Sequence, residues 1–143
     1  MLKKIFAPGH DSKLASLGLL LLRLWFGVTM LLHHGMDKVY NFNTYTTKFP
    51  DPLHLGVKPG LILVIFAETA CAAMLAVGLL TRFAALVLAI DMGVAFFLVH
   101  KSLDGGELAF IYLGTFLTLL IAGPGKFSVD KAAFGKTSSN FGK

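Results

Sequence analysis

Three apolar stretches of this sequence each hold one charged side chain near their middle. Arg23 lies within 14–32, Glu68 within 60–80 and Asp91 within 83–99, and a fourth stretch, 108–122, opens just after Glu107. A charge at mid-bilayer costs about 3 kcal/mol or more unless it is paired, so such residues face a protein interior and often do chemistry. A second group gathers at the stretch ends. His33 and His34 close the first, His100 closes the third, and Lys38 follows His34 by one helical turn. With alternating helix direction these residues and Glu107 reach one membrane face. Histidine titrates near physiological pH, so the group could move protons or hydrogen-bond a quinone headgroup. His34, His100 and Glu107 are the candidate catalytic groups. His33, His34, Lys38, His100 and Glu107 are the candidate cofactor-binding set. Two histidines with a carboxylate could instead hold a metal ion, and two histidines a haem. The spacing matches no recognised metal motif, so no metal ligands are assigned. A polar cap without any ligand is the plain alternative.

The mid-membrane charges suggest a pairing. Arg23, Glu68 and Asp91 each lie eight or nine residues into their own stretch, which puts them near one depth. Arg23 with Glu68 is the expected buried pair, fixing helix arrangement more than adding stability. Two carboxylates against one arginine leave an excess negative charge or a bound proton, as a proton relay would need. Asp91 stands nine residues before His100, about two and a half α-helical turns, and so is predicted to point away from it. It is the candidate interface residue, facing another subunit or a partner. Ala85, Ala89 and Gly93 form a small-residue face on the same helix that suits close packing.

These residues need four spanning helices to position them, expected at about 14–33, 60–80, 83–100 and 107–122. The chain of 143 residues is 55% hydrophobic and 15% charged, a balance that excludes an ordinary soluble domain. The fold class is therefore an all-α integral membrane protein, a four-transmembrane-helix bundle over residues 14–125. Residues 1–13 read as a short lead and 126–143 as a tail, disordered from Lys136. The long connection 34–59 carries turn formers and interfacial aromatics. Ser16, Arg23, Gly27, Met30 and His34 recur on one helical face, which should line the bundle interior. Trp25 is expected to pack on a neighbouring helix.

The net charge of +5 reflects lysines outside the apolar stretches, so membrane orientation explains it better than nucleic acid binding. Lys3, Lys4, Lys13, Arg82, Lys126, Lys131, Lys136 and Lys143 fall on one side, and Lys38, Lys48, Lys58 and Lys101 on the other. That bias predicts both termini in the cytoplasm. The start of the chain lacks a cleavage pattern, so the first helix is expected to be retained. The single cysteine, Cys71, permits no intramolecular disulfide and reads as a small buried apolar residue.

Arg23, His34-Gly35-x-x-Lys38, Glu68, Gly78-Leu79-Leu80-Thr81-Arg82, His100, Glu107 and Gly123-Pro124-Gly125 with Ser128 and Asp130 resemble the DoxX family. The resemblance implies a small four-helix protein of the bacterial inner membrane, in the setting of quinone-linked oxidases and thiosulfate:quinone oxidoreductase activity. It points to Arg23, His34, Lys38, Glu68, His100 and Glu107. His33 doubles the histidine of the pattern, and Asp91 has no counterpart in it. No redox-active cysteine pair is present, so electrons would come from a partner oxidoreductase and catalysis by the chain alone is not expected. The leading reading is a redox-associated subunit that binds quinone near the outward face and works with a partner oxidoreductase or in a homo-oligomer. A non-catalytic scaffold or anchor for a redox complex is the alternative, and a proton or small-molecule transporter has least support.

Overall fold

The computed structural model describes residues 12–134. The expected lead, apart from its last two residues, and the expected disordered tail lie outside them. Four helices are long and apolar enough to cross a membrane: α1 (Lys13–Tyr40), α3 (Val57–Val77), α4 (Thr81–His100) and α5 (Leu103–Ala122). Two short helices complete the described residues, α2 (Phe42–Lys48) after α1 and α6 (Val129–Phe134) after α5. No strand occurs among the described residues. The chain is an all-α, multi-pass membrane protein, as its apolar stretches predict.

Two boundaries differ from expectation. The 34–59 connection is helical at first, because α1 runs on to Tyr40 and Asn41 is the first break. The fourth helix starts at Leu103, after Ser102 in an extended N-cap conformation (φ −154°, ψ 161°). Three of the four spanning helices also carry a π-helical turn: Met30–Gly35 in α1, Ala67–Cys71 in α3 and Ala95–His100 in α4. A π turn inserts a residue into the i→i+4 ladder and is frequent at functional sites.

The core is built from small and large side chains in alternation. Ala84, Ala85, Leu88 and Ala89 of α4 pack with Tyr112, Phe116 and Leu119 of α5, and Ala72 and Leu75 of α3 join them. The predicted stripe on α1 is buried at Ser16, Arg23, Gly27 and Met30 and half-buried at His34. Trp25 is not packed: 73% of its surface is exposed, so it faces lipid. Helix α1 runs antiparallel to α3 at close range. A Cβ at Gly35 would collide with the Glu68 carbonyl and meet Thr69 Cγ2 at 2.7 Å, so only glycine allows this approach.

That register overturns the expected Arg23–Glu68 pair. Gly27 lies against Ala72 and Ala76, and Gly35 against Glu68, whereas Arg23 lies against Gly78. At 1.5 Å per residue Arg23 and Glu68 are therefore roughly 17 Å apart along the axis. Arg23 is fully buried and donates from Nη2 to the Phe127 carbonyl. Gly78 adopts φ +76°, and any side chain there would occupy the space of the Arg23 guanidinium.

Asp130 closes the same end. Its Oδ1 accepts from the Leu80 N–H (2.7 Å) and its Oδ2 from the Thr81 N–H (2.9 Å), while its own N–H donates to the Gly78 carbonyl (2.9 Å). The carboxylate thus caps the first turn of α4, where the helix dipole favours it. Burial alone would raise this carboxyl, but hydrogen bonds from Thr81 and Leu80 and the nearby Arg23 charge bring it below its ordinary 3.8. The Gly-Leu-Leu-Thr-Arg turn, Asp130 and Arg23 therefore form one structural clasp.

A depressed carboxylate contributes stability above its unfolded value and loses it as pH falls through the folded one. Asp130→Asn should therefore remove part of the acid sensitivity of unfolding below about pH 4. Asp130→Ala should lower stability by about 1 kcal/mol. Thermal unfolding in detergent across pH, followed by circular dichroism, checks both. An unchanged acid profile in Asp130→Asn would show that the cap carries no such load.

Candidate functional site

A cavity of about 820 Å³ opens at the other end of the bundle. Its walls come from α1, α3, α4 and α5, with α2 and the following loop over it. The polar groups on its lining include His34, Lys38, Glu68, Asp91, His100 and Tyr112. Every other lining residue of α3 and α4 is apolar or glycine.

The central contact is an ion pair. Lys38 Nζ lies 2.6 Å from Glu68 Oε2, with the two side chains 13% and 4% exposed. Helical continuation of α1 to Tyr40 makes it possible, because Lys38 then stands one turn above His34 on the face turned to α3. Gly35, between them, lets α3 come near enough. Lys38 Nζ also lies 5.9 Å from the Tyr45 ring centroid, a favourable cation–π position. The Tyr45 hydroxyl donates to Asp37 Oδ2, and that hydrogen bond, with burial, pushes the Tyr45 phenol above its ordinary 10.0. Asp37 also accepts from Asn41 Nδ2 (2.7 Å).

His34 packs edge-to-face on Tyr112, with centroids 5.6 Å apart and planes at 81°. The Tyr112 hydroxyl donates to Thr29 Oγ1 (2.8 Å). His34 is half-buried on the cavity wall, whereas His33 is exposed and does not line it. His34 is thus the histidine of the pair that reaches the cavity.

Asp91 is placed differently from its predicted outward position. It lines the cavity opposite α3, and its Oδ2 is buried with no hydrogen-bond partner among the described residues. The prediction assumed a regular helix. The π turn Ala95–His100 adds a residue to one turn and swings His100 back by roughly a quarter turn, so Asp91 and His100 share one cavity. His100 stands at its exposed rim.

Glu107 does not join them. It is exposed, and the cavity face of α5 is Gly105, Leu108, Ala109 and Tyr112. Those positions follow i, i+3, i+4 and i+7, and a residue at i+2 falls on the opposite side of the helix. The expected role of Glu107 rested on a helix starting near it. Sequence reasoning missed Tyr112 and Tyr45. A tyrosine in the middle of an apolar helix needs a partner for its hydroxyl, and that signal marks Tyr112. Among the described residues no three of His, Cys, Asp and Glu stand together in a way that could hold one metal ion.

Removing one partner of a buried pair leaves the other charge uncompensated. Lys38→Met should cost about 3–5 kcal/mol, and Lys38→Met with Glu68→Gln should recover most of the loss. A double-mutant cycle on unfolding in mixed micelles measures the coupling. Additive losses would mean that the two side chains do not stabilise each other.

Comparison with known proteins agrees with the architecture. A DoxX family profile matches residues 18–101, which covers α1 from residue 18 through to the end of α4 and leaves Glu107 and the Gly-Pro-Gly segment outside the matched region. A relative from Haemophilus influenzae (strain ATCC 51907 / DSM 11121 / KW20 / Rd), named "Uncharacterized protein", is 32% identical over 87 residues, 54% of this chain and 65% of the relative. The chain thus spans less than two thirds of that relative's length. No solved structure matches the chain. With more than half of its length matched, including Arg23, His34, Lys38, Glu68 and His100, the chain belongs to the DoxX family.

Proposed function

We propose that the cavity binds the headgroup of a quinone in a bacterial inner-membrane redox assembly, with a partner oxidoreductase exchanging the electrons. One observation carries this reading. An apolar cavity of about 820 Å³ places a cation–carboxylate pair, a histidine and an unpartnered carboxylate oxygen on its wall. A ring compound with hydrogen-bonding oxygens matches that lining in size and polarity. Bound quinone supplies two-electron, two-proton chemistry. Lys38 would donate to a ring oxygen and offset negative charge there. His34 and Asp91 would hold or pass protons at the ring oxygens, and His100 would connect them to the rim. Tyr112 would fix the His34 ring.

The lysine distribution supports both termini in the cytoplasm and the cavity end outward. Lys38 is drawn into the bundle, so Lys48, Lys58 and Lys101 remain to weigh against the larger basic group that includes Arg82, Lys126 and Lys131. The scaffold reading loses its main support, since Asp91 faces the chain's own cavity. A homo-oligomer is compatible with this reading and is not required by it.

Quinone extracted from protein purified in mild detergent and quantified by mass spectrometry tests the proposal. Near-stoichiometric quinone should accompany the wild type and Glu107→Ala, and fall to the lipid background in His34→Ala. Background levels in all three would overturn it and favour an anchoring role.

A further inference from the structure

The cavity is closed and open in particular directions. Towards the loop end, Phe49 to Leu55 lies across it. That loop is held by its own contacts: Asp51 accepts from the Leu55 and Gly56 N–H groups at 3.0 and 2.8 Å, and Phe49 packs on Tyr45. Towards the bilayer the situation differs. The second half of α3, Ala67–Val77, packs against α4, but its first half, Val57–Phe66, packs on α2 and the end of α1. The last turns of α4, Ala95–His100, lean on α5 instead. The two helices therefore meet at the Gly78 turn and part toward the cavity end.

The rim of that gap is apolar on both sides. Leu63 and Phe66 of α3 are 57% and 46% exposed, and Ile90 of α4 is 60% exposed, yet all three line the cavity. The polar groups lie behind them: Lys38 and His34 on α1, Glu68 on α3, and Asp91 on the inner side of α4. An apolar rim leading to a polar back wall complements an amphipathic molecule with a polar ring and a long apolar chain. It complements a water-soluble ligand less well, because such a ligand would meet Leu63, Phe66 and Ile90 at this edge.

We propose, building on the ligand reading above, that the site takes a ligand dissolved in the bilayer. Its ring is admitted sideways between α3 and α4, and its apolar tail stays in that gap, against Leu63, Phe66 and Ile90. The loop Phe49–Leu55 is then a roof rather than a door.

A benzoquinone carrying a decyl chain with a terminal diazirine tests this in lipid nanodiscs of the full chain. Illumination and peptide mass mapping should place adducts on Leu63, Phe66, Ile90 or Val94, suppressed by excess unlabelled decyl-benzoquinone. Ile90→Trp, a lipid-facing change compatible with folding, should cut adduct formation about tenfold by overfilling the gap, while Leu53→Trp leaves it unchanged. Competed adducts confined to Leu53–Leu55, or loss of labelling only in Leu53→Trp, would overturn the sideways route. Binding of the same ring without its chain separates the two readings. If the tail-less ring binds and is lost in His34→Ala while no competed adduct forms in the gap, only the sideways route falls. If neither compound binds, the quinone reading falls with it.

Discussion

A carboxylate at the depth of Glu68 cannot be left alone in hydrocarbon, and the cavity end of this bundle is arranged around Lys38 reaching it. The pair requires three things of the chain. Helix α1 must continue past the polar residues that follow His34. Residue 35 must lack a side chain, because the Glu68 carbonyl occupies that space. Lys38 must point at α3 while its Nζ lies over the Tyr45 ring, and Tyr45 is in turn tied to Asp37. Each of these local choices is unfavourable or neutral by itself. Together they place a charge pair, 13% and 4% exposed, on the wall of a cavity that also carries His34, Asp91 and His100. Such pairs specify an arrangement more reliably than they stabilise it.

The π turns address a second constraint. Regular helices at 3.6 residues per turn hold a fixed phase along their length. A residue near the middle of α4 and one at its end can then serve one cavity only if their spacing suits that phase. Asp91 and His100 do not satisfy it, and the turn at Ala95–His100 re-phases them. The turn at Met30–Gly35 lies on α1 between the buried Arg23 face and the His34–Lys38 face. The turn at Ala67–Cys71 contains Glu68 itself. The π turns of α1 and α3 pack against each other beside the cavity, and the turn of α4 lies further out, against α5.

The four spans were legible because hydrophobic stretches of this length have few alternatives in a membrane. The buried stripe of α1 was legible for the same reason, since lipid cannot satisfy Arg23. The partners were not. Pairing Arg23 with Glu68 required counting depth from assumed helix starts, and α1 extends seven residues past its expected end at residue 33, which shifts the whole register. Asp91 was assigned by a periodicity that a π turn breaks. Glu107 was assigned by an end-of-helix position, although Ser102, a good N-cap residue, marked the start four residues earlier than expected. His34 could be separated from His33 only by the face each presents, which depends on the local π turn.

The two ends of the bundle divide the work, and the division explains how a cavity survives in so small a protein. At one end Arg23, Gly78, Phe127 and Asp130 lock α1, α3, α4 and the segment after α5 through hydrogen bonds to backbone. Those bonds hold the helix ends at fixed spacing. The core of alanines and leucines above them then needs no further closure at the far end. Helices α3 and α4 are free to part beyond Ala67, where the wall changes from Ala72 and Leu75 to Glu68 and Leu63. A bundle tied at both ends would have closed over its charges. Tied at one, it keeps Glu68 and Asp91 at the wall of a space wide enough for a ligand while still shielding them from lipid.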